Sequence, residues 1–315
     1  MSLTSLFSTI TTLALLLIIG YAAGKLKFID SVSTERLSTL IVNIGQPFLI
    51  INSLISQEFS TENLVTGLKI MALGLGLHVF MAVIAFLLCR PIKDFDEQKL
   101  SEYAVLFANC GFMGFPILNS IFGAEGLFYG AFYIVSFYLF VWTWGLLIFA
   151  RKRKDIKITP KKIILNFGTM PCLIGFLLFV SRIPMPEPIL ELSSYLASLC
   201  TPISILISGA NLARRSLKKI FTNKNVYYVN LIKFIIMPVC VTLLLWLIGV
   251  PSDMIVFGAV MAAMPCAAIV TMFGEIYRVS PGYASELVGS STLFCIITIF
   301  PTVTFAQLLA SYPIW

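Results

Sequence analysis

Hydrophobic residues in this chain fall into long runs, separated by short stretches that are charged or rich in proline and glycine. A helix needs about 20 apolar residues to cross a bilayer, and runs of that length recur through the whole sequence. We therefore predict ten membrane-spanning segments. They cover residues 3–24, 34–56, 64–89, 101–122 and 126–150, and then residues 160–181, 190–212, 225–249, 252–277 and 283–309.

The composition supports a membrane protein. Hydrophobic residues make up 58% of the chain and charged residues 12%, and the mean hydropathy is +0.95. Soluble domains carry about 25% charged residues, so this chain cannot cover its apolar surface without lipid. The N-terminal run has no basic segment before it, which favours an uncleaved first span over a signal peptide.

The formal net charge of +7 comes from basic residues that lie between the apolar runs, chiefly in residues 151–162 and 214–219. Lys and Arg concentrate in the loops after odd-numbered segments, and Arg182 is the one basic residue after an even-numbered segment. Because cytoplasmic loops are rich in Lys and Arg, we expect the odd loops in the cytoplasm and both termini outside. These charges flank lipid-embedded spans of an inner (plasma) membrane protein, and we expect no nucleic-acid partner.

The basic loop 151–162 divides the segments into two sets of five, residues 1–150 and residues 160–315. An odd number of spans per set turns the second half over relative to the first, as in an inverted repeat. NIGQPFLIINSL around Pro47 also resembles SLCTPISILISG around Pro202. We predict an all-α polytopic membrane protein with ten transmembrane helices as a 5+5 inverted repeat.

The fourth and ninth segments contain residues that interrupt helices near mid-membrane. FANCGFMGFPILNS holds Gly111, Gly114 and Pro116, and MAAMPCAAIVTMFG holds Pro265. Proline removes a backbone donor, and lipid offers no partner to the groups that a break sets free, so a broken helix indicates a binding site. A plain proline kink is the alternative for either segment alone, whereas two breaks at corresponding positions favour paired crossover helices.

Three ionisable side chains lie well inside predicted segments: Lys69, His78 and Lys233. Charges inside a membrane are costly, so each is a candidate pathway residue. Snorkelling to the interface is the alternative for the two lysines. A hydrogen-bonded structural role is the alternative to proton relay for His78.

The remaining chemistry favours an anionic ligand. No Asp or Glu lies deep in a predicted segment, and a half-helix that begins at each break would present its positive N-terminus. The seven cysteines are scattered singly without a histidine nearby, so we expect no metal site and no cofactor. Neutral hydrogen-bonding side chains, which could equally join helices, are Asn43, Gln46, Asn52, Asn109, Asn119, Ser204, Ser208 and Asn211.

Three stretches resemble one family of carriers. NCGFMGFPIL resembles its fourth-helix crossover, AAMPCAAIVTMFGEIYRVSPGYAS its ninth-helix crossover, and NIGQPFLI its second helix. The chain thus resembles the auxin efflux carrier family, which includes plant PIN-type auxin transporters and bacterial carriers proposed for malate and malonate. The short central loop, residues 151–162, resembles that of the bacterial carriers and argues against auxin as the physiological ligand.

The resemblance implies a fold like that of PIN-type carriers and bile-acid symporters, and a homodimer. Helices 1, 2, 6 and 7 would form a scaffold, and helices 3–5 and 8–10 a moving transport domain. Asn109 would bind the carboxylate of a small organic anion, while Pro116 and Pro265 hold the breaks open. Cys266 stands where relatives often place a different small or polar residue. The candidate substrate-binding residues are Asn109, Gly111, Met113, Gly114, Pro116, Pro265, Cys266, Pro47 and Asn52.

We therefore expect a secondary transporter, not an enzyme. It would export or exchange a carboxylate or a dicarboxylate, such as malate, malonate or an auxin-like acid, by an elevator movement. The alternatives are a transporter-fold sensor or receptor for an organic acid and a sodium-coupled carboxylate symporter. A membrane-embedded enzyme would need a nucleophile with a base, or metal ligands, inside the membrane, and one histidine offers little for that chemistry.

Overall fold

A computed structural model describes residues 3–153, 161, 165–166, 168–214 and 222–312 of the 315-residue chain. Within those ranges the protein is built from helices, and β-pairing is limited to one bridge between Ala108 and Cys266. The prediction of an all-helical protein is confirmed. Most of the predicted basic loop and the first residues of the predicted segment 160–181 lie outside the described residues.

Twelve helices account for the described chain, and they are numbered here in chain order. The first six are α1 Leu3–Lys25, α2 Ser31–Ile55, α3 Thr61–Leu88, α4 Phe95–Leu106, α5 Cys110–Phe122 and α6 Ala124–Ala150. The other six are α7 Thr169–Ser181, α8 Glu187–Arg214, α9 Lys224–Leu247, α10 Ser252–Ala263, α11 Ile269–Ile276 and α12 Pro281–Ala310.

Seven of these helices are long and apolar enough to cross a membrane, judged by length and composition: α1, α2, α3, α6, α8, α9 and α12. Helices α5, α7 and α10 are shorter and apolar. The predicted segments coincide closely with observed helices, as for 283–309 and Pro281–Ala310. The fourth and ninth segments differ, because each is divided into two helices, α4 with α5 and α10 with α11.

Capping side chains mark where several helices begin. The carboxylate of Asp30 accepts the Ser33 N–H before α2, and the Ser60 hydroxyl accepts the Asn63 N–H before α3. Asp94 plays the same part before α4. The first N–H groups of a helix have no partner inside it, so an oxygen-bearing side chain at that point fixes the start. The Ser33 N–H also lowers the pKa of the Asp30 carboxyl by stabilising its charged form.

Prolines explain three widened turns inside the helices. The π-helical turns Ile41–Gly45, Cys110–Gly114 and Ile232–Ile236 each end two residues before a proline, namely Pro47, Pro116 and Pro238. A proline ring clashes with the carbonyl four residues earlier and cannot donate to it. The turn before the proline widens as a result, and turns of this type recur at functional sites.

The two halves of the chain meet tightly where α1 crosses α8. A Cβ atom built on Gly20 would lie 2.3 Å from the backbone oxygen of Leu206, and one built on Gly209 would lie 2.2 Å from the backbone oxygen of Leu17. Real Cβ atoms do not approach oxygen that closely, so glycine is required at both positions. Small residues that let two backbones touch are the usual means of packing helices in a membrane.

Candidate functional site

The first helix break lies between α4 and α5. Helix α4 ends at Leu106, and Phe107 has extended backbone angles of −96° and 103°. Asn109 then caps α5, because its side-chain oxygen accepts the Phe112 N–H at 3.3 Å. Pro116 widens the first turn of α5, and Gly114 allows Met261 of α10 to pack within 3.0 Å of where a Cβ would stand. The run of residues from Asn109 to Pro116 therefore sets the shape of this break locally.

The second break lies between α10 and α11. Helix α10 ends at Ala263, and Met264 has extended angles of −65° and 149°. A residue before proline is biased away from helical geometry, so Pro265 explains why the helix stops there. Helix α11 starts at Ile269. The five residues of the break, 264–268, have no side chain with an oxygen atom that could cap α11.

The two breaks pair with each other through their backbones. The Asn109 N–H donates to the Pro265 carbonyl at 2.7 Å, and the Ala267 N–H donates to the Phe107 carbonyl at 3.0 Å. Polar backbone groups inside a membrane need partners in the protein, and each break supplies partners to the other. This short bridge places the starts of α5 and α11 side by side, although they come from opposite halves of the chain.

A pocket opens beside this bridge. It has about 310 Å³ of empty space, its open mouth included, and none of the described residues that line it is charged. The first break contributes one side of the pocket and Ala267, Ala268 and Ile269 another, while Phe137 and Tyr138 of α6 form an aromatic wall. The full lining is Gln46, Ala108, Asn109, Cys110, Gly111, Phe112, Phe137, Tyr138, Ala267, Ala268 and Ile269.

Backbone N–H groups give the pocket its electrostatic character. The N–H groups of Gly111, Ala268 and Ile269 donate to no acceptor in the part of the chain that the structure describes. The same holds for the Asn109 side-chain nitrogen. Gly111 lies at the N-terminus of α5, and Ala268 and Ile269 lie at the N-terminus of α11, where the helix dipole is positive. Free donors at two helix N-termini form a site suited to an anion.

Residues outside the pocket hold the breaks in place. The buried Lys233 ammonium of α9 donates to the Val105 carbonyl at 2.9 Å, at the C-terminal end of α4. Ser291 of α12 accepts the Cys266 N–H at 3.0 Å, and Thr201 of α8 donates to the Phe112 carbonyl at 2.8 Å. A cation at a helix C-terminus is stabilised by the negative end of the dipole, which accounts for Lys233 at this position.

The other two ionisable candidates lie away from the pocket. Nδ1 of the buried His78 donates to the Gly74 carbonyl at 2.7 Å, and its ring lies 5.2 Å from that of Tyr133 and 6.0 Å from that of Phe137. His78 thus packs behind the aromatic wall. Lys69 is exposed on the surface of α3. Lys69 and Lys233, which fall at similar points of corresponding segments, therefore occupy different environments.

The remaining predicted site residues surround the pocket at different distances. Asn109 and Gly111 line it, and Pro265 and Cys266 belong to the bridge beside it. Met113, Gly114 and Pro116 lie farther along α5, and Pro47 follows Gln46, which lines the pocket. Asn52 lies farther along α2 and is partly buried. The binding roles of these residues stay predictions.

Several residues that shape the site could not be predicted from the sequence. Phe112, Phe137 and Tyr138 line the pocket, but they belong to runs of aromatic residues in which no pattern marks the pocket-facing members. Ala268 and Ile269 contribute backbone groups, which leave no trace in side-chain chemistry. Glu102, near the start of the predicted fourth segment, is buried and pairs with Arg151.

A family model and one known protein resemble this chain over most of its length, and a second known protein resembles less than half of it. A family model described as membrane transport protein matches residues 5–301. An uncharacterized transporter from Methanocaldococcus jannaschii is 23% identical over 295 residues, which cover 90% of this chain and 94% of that relative. An uncharacterized transporter from Methanothermobacter thermautotrophicus is 28% identical over 142 residues, 44% of this chain and 46% of that relative. Both helix breaks lie within the residues that the family model matches.

Proposed function

We propose that this chain, which belongs to the membrane transport protein family, is a secondary transporter that binds a small organic anion between its two helix breaks. Membership of the family confirms the resemblance to the auxin efflux carriers and establishes a multi-span membrane transporter. The observation that carries the proposed substrate class is the set of free N–H groups at the starts of α5 and α11. Those groups and the Asn109 amide would bind the carboxylate.

The shape of the pocket favours one anionic group per substrate. The free donors lie at the breaks, whereas Phe137 and Tyr138 of α6 line the pocket with aromatic rings. A dicarboxylate would bring a second charge into the pocket, whose lining includes no Lys, Arg or His among the described residues to receive it. A monocarboxylate with an apolar or aromatic body would instead place its body against the rings. We therefore favour such an acid over malate or malonate.

The architecture that we propose for transport is a 5+5 inverted repeat. Helices α1–α6 would form the first repeat and α7–α12 the second, with the two breaks as crossovers. The backbone-to-backbone contact of α1 with α8 suits a rigid scaffold, which would also include α2 and α7. Helices α3–α6 and α9–α12 would carry the pocket in an elevator movement, in a homodimer in the inner membrane with both termini outside.

The membrane potential is a sufficient driving force for export. In a negative-inside cell it favours outward movement of an anion by about 2.3 kcal/mol per charge per 100 mV. A sodium site could be built from backbone carbonyls and would leave no side-chain signature. Transport by potential alone and sodium-coupled symport therefore predict different ion dependence, which an assay can separate.

Counterflow in proteoliposomes tests the proposal. Proteoliposomes that contain the purified chain are loaded with phenylacetate or indole-3-acetate as aromatic monocarboxylates, or with malonate or malate as dicarboxylates. Exchange is measured with and without sodium and pH gradients. We expect saturable exchange of the monocarboxylates, at least tenfold faster than that of the dicarboxylates. Preferred exchange of malonate would contradict the single-charge assignment. Binding without flux of any acid would favour the sensor function over transport.

A further inference from the structure

One tyrosine hydroxyl joins the starts of α6 and α10, away from the pocket. The Tyr129 hydroxyl lies 2.8 Å from a carboxylate oxygen of Asp253 and also hydrogen-bonds the Glu125 carboxylate. Glu125 lies in the first turn of α6 and Asp253 in the first turn of α10. Among the described residues, these two carboxylates are the charged groups that interact with this hydroxyl.

The two carboxylates compete for one donor. A phenolic hydroxyl has a single proton to donate, and an ionised carboxylate can only accept. Glu125 is exposed and precedes Tyr129 by one turn of the same helix, so its hydrogen bond does not join two helices. Asp253 is partly buried and belongs to another helix. The bond from Tyr129 to Asp253 is therefore the one that ties α6 to α10.

Aromatic contacts extend this tie along α6 toward the pocket. Tyr129, Tyr133 and Phe137 recur every four residues and so share one face of α6. Phe257 of α10 packs edge-on against Tyr129 and Tyr133, with ring centroids 5.8 Å and 5.5 Å apart. Phe137, the next residue on that face, lines the pocket.

A matching stripe runs along α10 to the breaks. Asp253, Phe257 and Met261 also recur every four residues, and Met261 packs against Gly114 of α5. Helix α10 ends two residues later, immediately before the second break. Apolar and aromatic contacts are weakly directional, whereas a hydrogen bond has a narrow distance and angle. Among the described contacts of Asp253, Phe257 and Met261, the bond between Tyr129 and Asp253 is thus the directional side-chain contact.

We propose that the Tyr129–Asp253 hydrogen bond is a clamp that fixes the position of α10 along α6 and thereby sets the separation of the two helix breaks. Glu125 competes for the clamp's only proton and weakens it. Tyr129 and Asp253 are positioning residues, since neither lines the pocket. The effect of the clamp on anion affinity rests on the proposed function, in which one carboxylate contacts N–H groups of both breaks.

The competition predicts opposite signs for neighbouring substitutions. Tyr129→Phe removes the donor and keeps the ring against Phe257, and Asp253→Ala removes the acceptor. Both changes release α10. Glu125→Ala removes the competitor and leaves the proton to Asp253, so the clamp is kept or strengthened. A merely structural role for the cluster would give all three substitutions the same sign.

Amide hydrogen exchange in residues 254–261 of α10 measures the clamp without any ligand. In nanodiscs at constant pH, we expect exchange about tenfold faster in Tyr129→Phe and Asp253→Ala than in the wild type, the factor for a bond worth about 1.4 kcal/mol. Glu125→Ala should exchange at the wild-type rate or more slowly. Tyr195→Phe, at a tyrosine that is 70% exposed, is the control and should match the wild type. Wild-type exchange in Tyr129→Phe, or faster exchange in Glu125→Ala, overturns the proposal.

Counterflow kinetics add the functional readout. Tyr129→Phe and Asp253→Ala should raise KM for the transported acid about tenfold and leave kcat within about twofold, because the clamp positions the binding groups and does not power the movement. Equal losses of kcat and kcat/KM with unchanged KM would overturn the positioning role. If the wild type carries no acid, the proposed function fails, and the exchange measurement still decides whether the clamp exists.

Discussion

The two helix breaks meet at one pocket but differ in the groups that cap their helices. The first is capped by its own side chain, since Asn109 accepts the Phe112 N–H, and the helix before it is capped by the Lys233 ammonium. Residues 264–268 of the second break carry no side-chain oxygen that could cap α11, and the Cys266 N–H donates to Ser291 of α12. Among the described residues, the side-chain donor at the end of the helix before the second break is the weak thiol of Cys295, 3.6 Å from the Ala263 carbonyl.

This difference indicates that substitutions at the two breaks should affect ligand binding and stability to different extents. The first break brings a polar side chain to the pocket, whereas the second brings backbone groups and apolar side chains. Substitution at Asn109 should therefore act on ligand binding directly. A side-chain substitution cannot remove the backbone N–H groups of the second break. It can act only on the residues that support that backbone, so we expect it to lower stability first.

Asn109→Ala should have the largest effect on function. It removes the pocket amide and also uncaps α5, and a hydrogen bond to a charged group is worth about 1.5–3 kcal/mol. We expect counterflow of an aromatic monocarboxylate to fall by about 10- to 100-fold. The measurement is initial counterflow rate in proteoliposomes, at matched protein content and with folding checked by size-exclusion chromatography.

Asn119→Ala is the matched control for that change. Asn119 lies on the same helix, is exposed, and does not line the pocket. Its substitution should leave flux close to that of the wild type. Equal losses in the two variants would mean that α5 is merely sensitive to substitution, and an unimpaired Asn109→Ala would remove Asn109 from the binding site.

Ser291→Ala should lower stability more than it lowers flux, in contrast to Asn109→Ala. The change leaves the buried Cys266 N–H without its acceptor, and an unsatisfied buried donor costs about 1–3 kcal/mol. Ser291 does not line the pocket, so we expect a lower midpoint of thermal unfolding and a smaller loss of flux than in Asn109→Ala. Thermal unfolding in detergent, followed by tryptophan fluorescence, measures the change.

Ser285→Ala serves as the comparison for Ser291→Ala. Ser285 lies on α12 as well, and in the described part of the chain its hydroxyl donates to the Pro281 carbonyl at the start of that helix. It should unfold at nearly the wild-type temperature. A Ser291→Ala variant that is as stable as Ser285→Ala would show that the second break does not depend on this support.

Thr201→Val should have the smallest of these effects. Thr201 of α8 donates to the Phe112 carbonyl, which links the first break to the helix that packs on α1. Loss of one hydrogen bond between neutral groups costs about 0.5–1.5 kcal/mol. We expect a modest drop in unfolding temperature, restored in Thr201→Ser, which keeps the hydroxyl. A drop as large as that of Ser291→Ala would mean that the hydrogen bonds of Thr201 and Ser291 contribute equally to stability.

The same contrast explains what the sequence could and could not predict. Apolar runs fixed the positions of the helices, because a bilayer demands about 20 such residues. Asn109, Gly111 and Pro116 marked the first break, because its shape is local. For the second break only Pro265 was visible, and its pairing with Phe107 and Asn109 depends on how distant helices pack.

The sequence also could not predict which face each helix turns toward the protein interior. Lys69 and Lys233 fall at similar points of corresponding segments, yet one is exposed and the other is completely buried. Which face a membrane helix turns inward is decided by its neighbours, since both faces are apolar. For the same reason the aromatic residues of α6 showed no pattern that would single out Phe137 and Tyr138 as pocket residues.

Amide hydrogen exchange at both breaks, with and without phenylacetate or indole-3-acetate, tests the central claim most directly. If one carboxylate binds between the breaks, the N–H groups of Gly111, Ala268 and Ile269 should all exchange more slowly when the acid is bound. The slowing should be lost together at all three positions in Asn109→Ala. Protection at one break alone, or at neither break while the acid still binds, would contradict a site shared by the two breaks.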